Sequence, residues 1–104
     1  MSALPTIFVI SLPGSPRRAA IARRLAAWPG RWSFVEAVDG NALSHHELST
    51  LYDDALTIRT IGRSLSRPEI GCALSHRLVY DRMLADRLPT TIVLEDDAVL
   101  KDEF

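Results

Sequence analysis

Glu95, Asp96 and Asp97 stand in a row after the apolar run Ile92-Val93-Leu94, and no other residues of the chain point so directly to chemistry. Three adjacent like charges repel one another, and partial burial raises carboxylate pKa values unless a cation or hydrogen-bond donors compensate. If the strand runs on through them, alternation sends Glu95 and Asp97 to one side and Asp96 to the other, so two carboxylates converge on one ion. Hard oxygen ligands select Mg²⁺ or Mn²⁺ over zinc, and such ions are held by one or two carboxylates plus substrate phosphates. Glu95 and Asp97 are therefore the expected metal ligands, with a nucleotide diphosphate as third partner. The alternative is a solvated acidic turn after an edge strand, since charges commonly face water. The run before the acids argues against that, because a continuous apolar strand belongs inside a covered parallel sheet, where ligands bind at the carboxyl ends of the strands.

Smaller constellations support a phosphate ligand. Pro13-Gly14-Ser15-Pro16-Arg17-Arg18 joins an apolar run to the start of a helix, where free N–H groups and the macrodipole favour an anion and two arginines add charge. It is neither a Walker loop nor a G-x-G-x-x-G turn, and an ordinary tight turn with surface arginines fits the same residues. Asp39-Gly40 after a second strand is a turn signal, and an acid there can also bind a ribose hydroxyl. His76 falls among Cys72, Val79 and Tyr80 on an expected apolar stripe, as a core histidine or as a donor to phosphate or acceptor. Cys72 reads as a small buried hydrophobe or a reactive thiol. His45 and His46 are adjacent, so they cannot share a metal from one helix face.

The elements that must position these residues follow from pattern and punctuation. Residues 6–12 form an expected first strand, and Ser15 as N-cap with Pro16 at the first helical position opens a helix to Trp28, with Ala20, Ile21, Arg24, Leu25 and Trp28 on one face. A second strand covers 32–38. Ser44 to Glu47 has capping-box spacing before a short helix over 45–54, and residues 55–65 read as irregular, with 57–61 extended. Ser66 to Glu69 repeats the capping-box spacing and opens the longest helix, 67–87, with an apolar stripe of Cys72, Val79, Tyr80 and Met83 and i, i+4 pairs Arg77/Asp81 and Arg82/Asp86. The order strand-helix-strand, then helix-strand, predicts a parallel α/β sheet with right-handed crossovers.

Composition sets the outer limits. A chain of 104 residues with 47% hydrophobic and 24% charged residues suits one small domain, read as 1–104, and a net charge of −1 gives no reason to expect nucleic acid. The charge is uneven: residues 1–32 carry five arginines and no acid, whereas residues 94–104 carry five acids against Lys101. One cysteine excludes an internal disulfide and makes a reducing, cytoplasmic setting the expectation. No run approaches the roughly 18 apolar residues that span a bilayer, which leaves peripheral membrane contact open. A second copy of the chain is a natural cover for an exposed sheet edge, so homo-oligomerisation is a further expectation.

Four blocks in order, Val9-Ile10-Ser11-Leu12 with Ser15-Pro16-Arg17-Arg18, Phe34 to Gly40, Glu69 to His76, and Val93 to Asp97, together resemble glycosyltransferase family 25. That family holds bacterial lipooligosaccharide galactosyltransferases and collagen galactosyltransferases. The resemblance implies a Rossmann-like, GT-A-type, mostly parallel sheet flanked by helices, of which this chain carries an N-terminal portion. It implies a UDP-sugar donor, a Mn²⁺ or Mg²⁺ cofactor, and inverting transfer to the hydroxyl of a saccharide acceptor in lipopolysaccharide synthesis. The family's E-D-D matches Glu95, Asp96 and Asp97, its G-C-x-L-S-H matches Gly71, Cys72, Leu74, Ser75 and His76, and its S-P-x-R matches Ser15, Pro16 and Arg18. Donor contacts are accordingly expected from Ser15, Arg18, Asp39, Ser75, His76 and Asp96. The family's first strand usually ends Asn-Leu-Asp or similar, where this chain has Ser11-Leu12-Pro13. Rival readings are a truncated module that binds nucleotide and metal without turnover, a receiver-like Mg²⁺-binding signalling domain, whose acids lie on separate strand ends, and a structural domain with an acidic edge.

Overall fold

Ile7, Phe8, Val9 and Ile10 form the most apolar stretch of the chain, and each is 0–7% exposed because a strand lies on either side and a helix over either face. The structure, a computed structural model, describes residues 4–100. Strand β1 (Thr6–Ser11) is central, β2 (Trp32–Glu36) pairs with one edge from Ile7↔Trp32 to Ser11↔Glu36, and β3 (Thr91–Glu95) pairs with the other from Thr6↔Thr91 to Ile10↔Glu95. Both pairings are parallel, in the order β2-β1-β3. Alternation divides the core in two. Ile7 and Val9 pack on Ile21 and Leu25 of helix α1 (Arg18–Leu25), while Phe8, Ile10 and Val35 pack on Val79 of helix α4 (Arg67–Ala85). The chain steps one way from β1 to β2 and the other way from β2 to β3, so crossovers of one hand put α1 and α4 on opposite faces. The expected Rossmann-like parallel α/β sheet is what the structure shows.

Between β2 and α4 lie a 3₁₀ turn (Gly40–Ala42) and two short helices, α2 (His45–Leu51) and α3 (Asp54–Ile61), neither of which fully buries a side chain. The capping box of α2 is complete: Ser44 Oγ accepts from Glu47 N–H at 3.0 Å, and Glu47 accepts from Ser44 N–H at 2.9 Å. Helix α3 corrects the expected irregular or extended segment. Asp53 caps its first turn by accepting from Leu56 N–H at 2.9 Å, and Gly62 closes it in the left-handed region at φ 83°. Thr57 and Thr60, which read as strand formers, donate their hydroxyls to the carbonyls of Asp53 and Leu56 at 3.0 and 2.9 Å, a bond open to β-branched residues in helices.

Helix α1 starts later than expected. Ser15 N–H bonds Leu12 O at 3.0 Å and Arg18 N–H bonds Ser15 O at 3.3 Å, so residues 12–18 make successive turns and Ser15 opens a turn instead of capping the helix. Ile21 and Leu25 are buried as expected, but Ala20 and Arg24 face outward. The buried face of α4 also differs from the expected stripe: it is Ile70, Gly71, Ser75 and Val79, whereas Tyr80 is 56% exposed and Cys72 is also exposed. Close approach explains the rotation. A Cβ on Gly71 would lie 2.6 Å from Val38 O and 2.7 Å from Gly40 N, so glycine lets the 3₁₀ turn sit directly on the helix. Of the two expected i, i+4 pairs, Arg82–Asp86 closes at 3.7 Å.

Helix α4 ends in a Schellman pair, Leu88 N–H to Met83 O at 2.9 Å and Arg87 N–H to Leu84 O at 3.3 Å, which forces Arg87 to φ 55°. Two outcomes follow, both measured by urea denaturation. Arg87→Gly raises the unfolding free energy by about 1 kcal/mol, because glycine carries no Cβ penalty in this region. Gly71→Ala lowers it by about 1–3 kcal/mol, because the added methyl pushes the 3₁₀ turn off α4.

Candidate functional site

The order β2-β1-β3 makes the carboxyl ends of β1 and β3 a switch point, where successive connections leave to opposite faces and open a crevice. Asp96 sits in it. Its N–H extends the ladder by bonding Ile10 O at 3.1 Å, and its side chain, 8% exposed, collects three donors from the last residue of β1 and the segment that follows it. Ser11 Oγ and Ser15 Oγ each donate to Oδ2 at 2.7 Å, and Arg17 Nε donates to Oδ1 at 2.9 Å. Burial pushes this carboxyl upward, but the two hydroxyls and the Arg17 guanidinium together outweigh it and hold Asp96 below the usual carboxylate range.

The other two acids stay open to solvent. Ala98 N–H bonds Glu95 O at 3.0 Å, so the chain turns immediately after Glu95, and the alternation expected across residues 95–97 gives way to a turn. Asp96 nonetheless parts from its neighbours. Glu95 and Asp97, both exposed, join Asp96, Arg17 and Asp39 in lining a cavity of about 310 Å³ between the strand ends, the 3₁₀ turn and the first turn of α4. Glu95 Oε1 lies 3.9 Å from the Cys72 thiol, and Asp97 makes no hydrogen bond or ion pair with another described residue. Among the described residues no three of His, Cys, Asp and Glu are grouped as a metal cage. Two exposed carboxylates on one cavity, one bonded only by the Cys72 thiol, fit a hard cation that takes its remaining ligands from phosphate oxygens.

Two further side chains frame the crevice. Arg18 bonds Ser11 Oγ and Ser11 O at 3.0 and 2.9 Å, grips both Glu36 oxygens at 3.1 and 3.0 Å, and lies 4.7 Å over the Phe34 ring. It ties the ends of β1 and β2 together and lies outside the cavity lining. Ser75, 2% exposed, accepts from Val38 N–H at 2.9 Å and donates to Gly71 O at 2.7 Å, so its hydroxyl fastens the chain after β2 to α4 at the cavity wall.

Of the other expected site residues, Asp39 lines the cavity and accepts from Asn41 N–H at 3.0 Å. Ser15 and His76 lie outside the lining, Ser15 bound to Asp96 and His76 half-buried with Nδ1 2.9 Å from Cys72 O. The sequence reading gave no role to Ser11. Its place at the carboxyl end of a buried strand, beside a serine-containing turn, was the available signal.

The fold and site define a parallel α/β domain whose switch-point crevice carries an acidic strand tip facing a serine- and arginine-bearing turn. The family described as "Glycosyltransferase family 25 (LPS biosynthesis protein)" matches residues 4–104, and the chain belongs to that family. It is 36% identical over 108 residues to "Probable inactive glycosyltransferase 25 family member 3" of Rattus norvegicus, covering 94% of this chain and 18% of the relative. It is likewise 36% identical over 106 residues to "Procollagen galactosyltransferase 2" of Homo sapiens, covering 94% of this chain and 16% of the relative. The chain therefore spans less than a fifth of the length of these curated relatives. No solved structure matches it. Among the described residues no helix is long and apolar enough to cross a membrane.

A depressed folded pKa stabilises the fold above the unfolded value, roughly 3.9, and that contribution is lost as the pH falls through the folded value. Asp96→Asn should therefore be less stable than the parent at pH 7 by about 1–3 kcal/mol and should lose less stability below about pH 4, as read by denaturant unfolding across pH.

Proposed function

We propose that this chain forms the donor-binding part of a metal-dependent glycosyltransferase that moves a hexosyl, specifically a galactosyl, group from a UDP-sugar to a saccharide hydroxyl with inversion. The observation that carries the reading is the meeting of the Ser11–Arg17 segment with the E-D-D tip through Asp96, which puts cationic and carboxylate side chains on one cavity. Asp39 binds a ribose hydroxyl, and Glu95 and Asp97 would hold a cation, Mg²⁺ or Mn²⁺, which when bound would supply positive charge near the diphosphate. In the transfer, the acceptor oxygen bonds the anomeric carbon as the bond to the diphosphate breaks, UDP leaves with the electron pair, and the acceptor proton passes to a base. The family's description favours an acceptor in lipopolysaccharide synthesis, whereas the human relative's name specifies procollagen.

A second reading, binding of donor and cation without turnover, is favoured by the similarity to a relative named as probably inactive. Calorimetry separates the possibilities. Coupled binding of UDP and Mn²⁺ is expected, with each of Glu95→Gln and Asp97→Asn weakening Mn²⁺-dependent UDP binding by about tenfold or more while leaving the fold intact. Binding of Mn²⁺ indifferent to UDP, or of neither, contradicts the proposal. Release of free sugar from a UDP-sugar then distinguishes an enzyme from a binding module.

A further inference from the structure

The two adjacent arginines are used in opposite ways, and the motif match singles out the one the fold has already committed. Arg18, the arginine of S-P-x-R, spends its guanidinium on Ser11 and Glu36. Arg17, at the variable position of that motif, gives only its Nε–H, to Asp96 Oδ1, and no described residue accepts from its two terminal amino groups. Its side chain is 58% exposed, against 24% for Arg18. Arg17 lines the cavity beside Glu95, Asp96 and Asp97, and it is the one cation among the described lining residues. A guanidinium held by its Nε edge keeps the opposite end, with both amino groups, oriented for two anionic oxygens.

We propose that Arg17, oriented by Asp96, is the side chain that grips the diphosphate of the ligand, and that Arg18 is a strut between strand ends. This rests on the donor-binding reading above, deepening it by naming the phosphate contact. A diphosphate entering this cavity faces four carboxylates, Asp39, Glu95, Asp96 and Asp97, so a fixed positive charge on the same wall is the group it requires besides a cation. Asp96 fixes the direction of Arg17 and lowers its freedom before binding, which reduces the entropy lost when the phosphates arrive.

The test measures binding of UDP, uridine and inorganic pyrophosphate, each with Mg²⁺, to the parent chain and to Arg17→Ala and Arg17→Lys. Arg17→Ala should weaken UDP and pyrophosphate by about 10- to 100-fold and leave uridine binding unchanged in a chain that still folds, with Arg17→Lys recovering part of the loss. Equal affinity of Arg17→Ala and parent for UDP and pyrophosphate overturns the inference while the donor-binding reading stands. Arg17-dependent binding of pyrophosphate with no preference for UDP upholds the inference and overturns the nucleotide reading. A parent chain that binds none of the three overturns both.

Discussion

The Asp96 carboxylate, buried at the end of an edge strand and bonded to two serine hydroxyls and one guanidinium, is the interaction on which the rest of this site depends. Its partners lie about eighty residues earlier in the chain, so it fixes the turn after β1 to the tip of β3. The two hydroxyls and the guanidinium together outweigh the cost of burying the carboxylate and hold it ionised between two like charges. Removing Asp96 from the contest leaves Glu95 and Asp97 facing open space, and gives Arg17 a direction. The middle acid is thus structural in its contacts, while its neighbours remain available to a ligand.

The opposite wall is built by small residues. Gly71 and Gly40 let the 3₁₀ turn rest on α4 at backbone distance, and the Ser75 hydroxyl satisfies a peptide N–H that this approach would otherwise bury unpaired. Glu69 secures the start of the helix in the same region. It closes the capping box with Ser66 and takes a forked bond from Arg63 at 3.0 and 2.8 Å, and these partners lower its pKa to about 2. The cavity therefore lies between two polar stitches, one on each side of β1, and both faces of that strand remain apolar.

Much of this was legible from residues alone, for reasons that are physical and specific. β1 is a run too apolar to lie anywhere but in a covered sheet, β3 is legible as a strand although it lies half-buried at the sheet edge, and both capping boxes announced their helices. What remained hidden depended on contacts at long range. The face of α4 is set by a glycine and a serine, which carry little hydrophobic signal, so larger neighbours such as Tyr80 drew the stripe to the wrong side. Helix α3 was obscured by β-branched residues whose hydroxyls bond their own helix. The division of labour between Arg17 and Arg18 follows from the turns at residues 12–18, which delay α1 and aim consecutive side chains at different strand ends.

Asp96 and the turn after β1 act as one unit, and a double-mutant cycle measures that coupling. Unfolding free energies of the parent, Ser15→Ala, Asp96→Ala and the double variant give the interaction between two side chains 2.7 Å apart. The expected coupling is about 1 kcal/mol or more. Additivity to within about 0.3 kcal/mol would contradict it, because the acidic tip and the serine turn would then be neighbours without being joined.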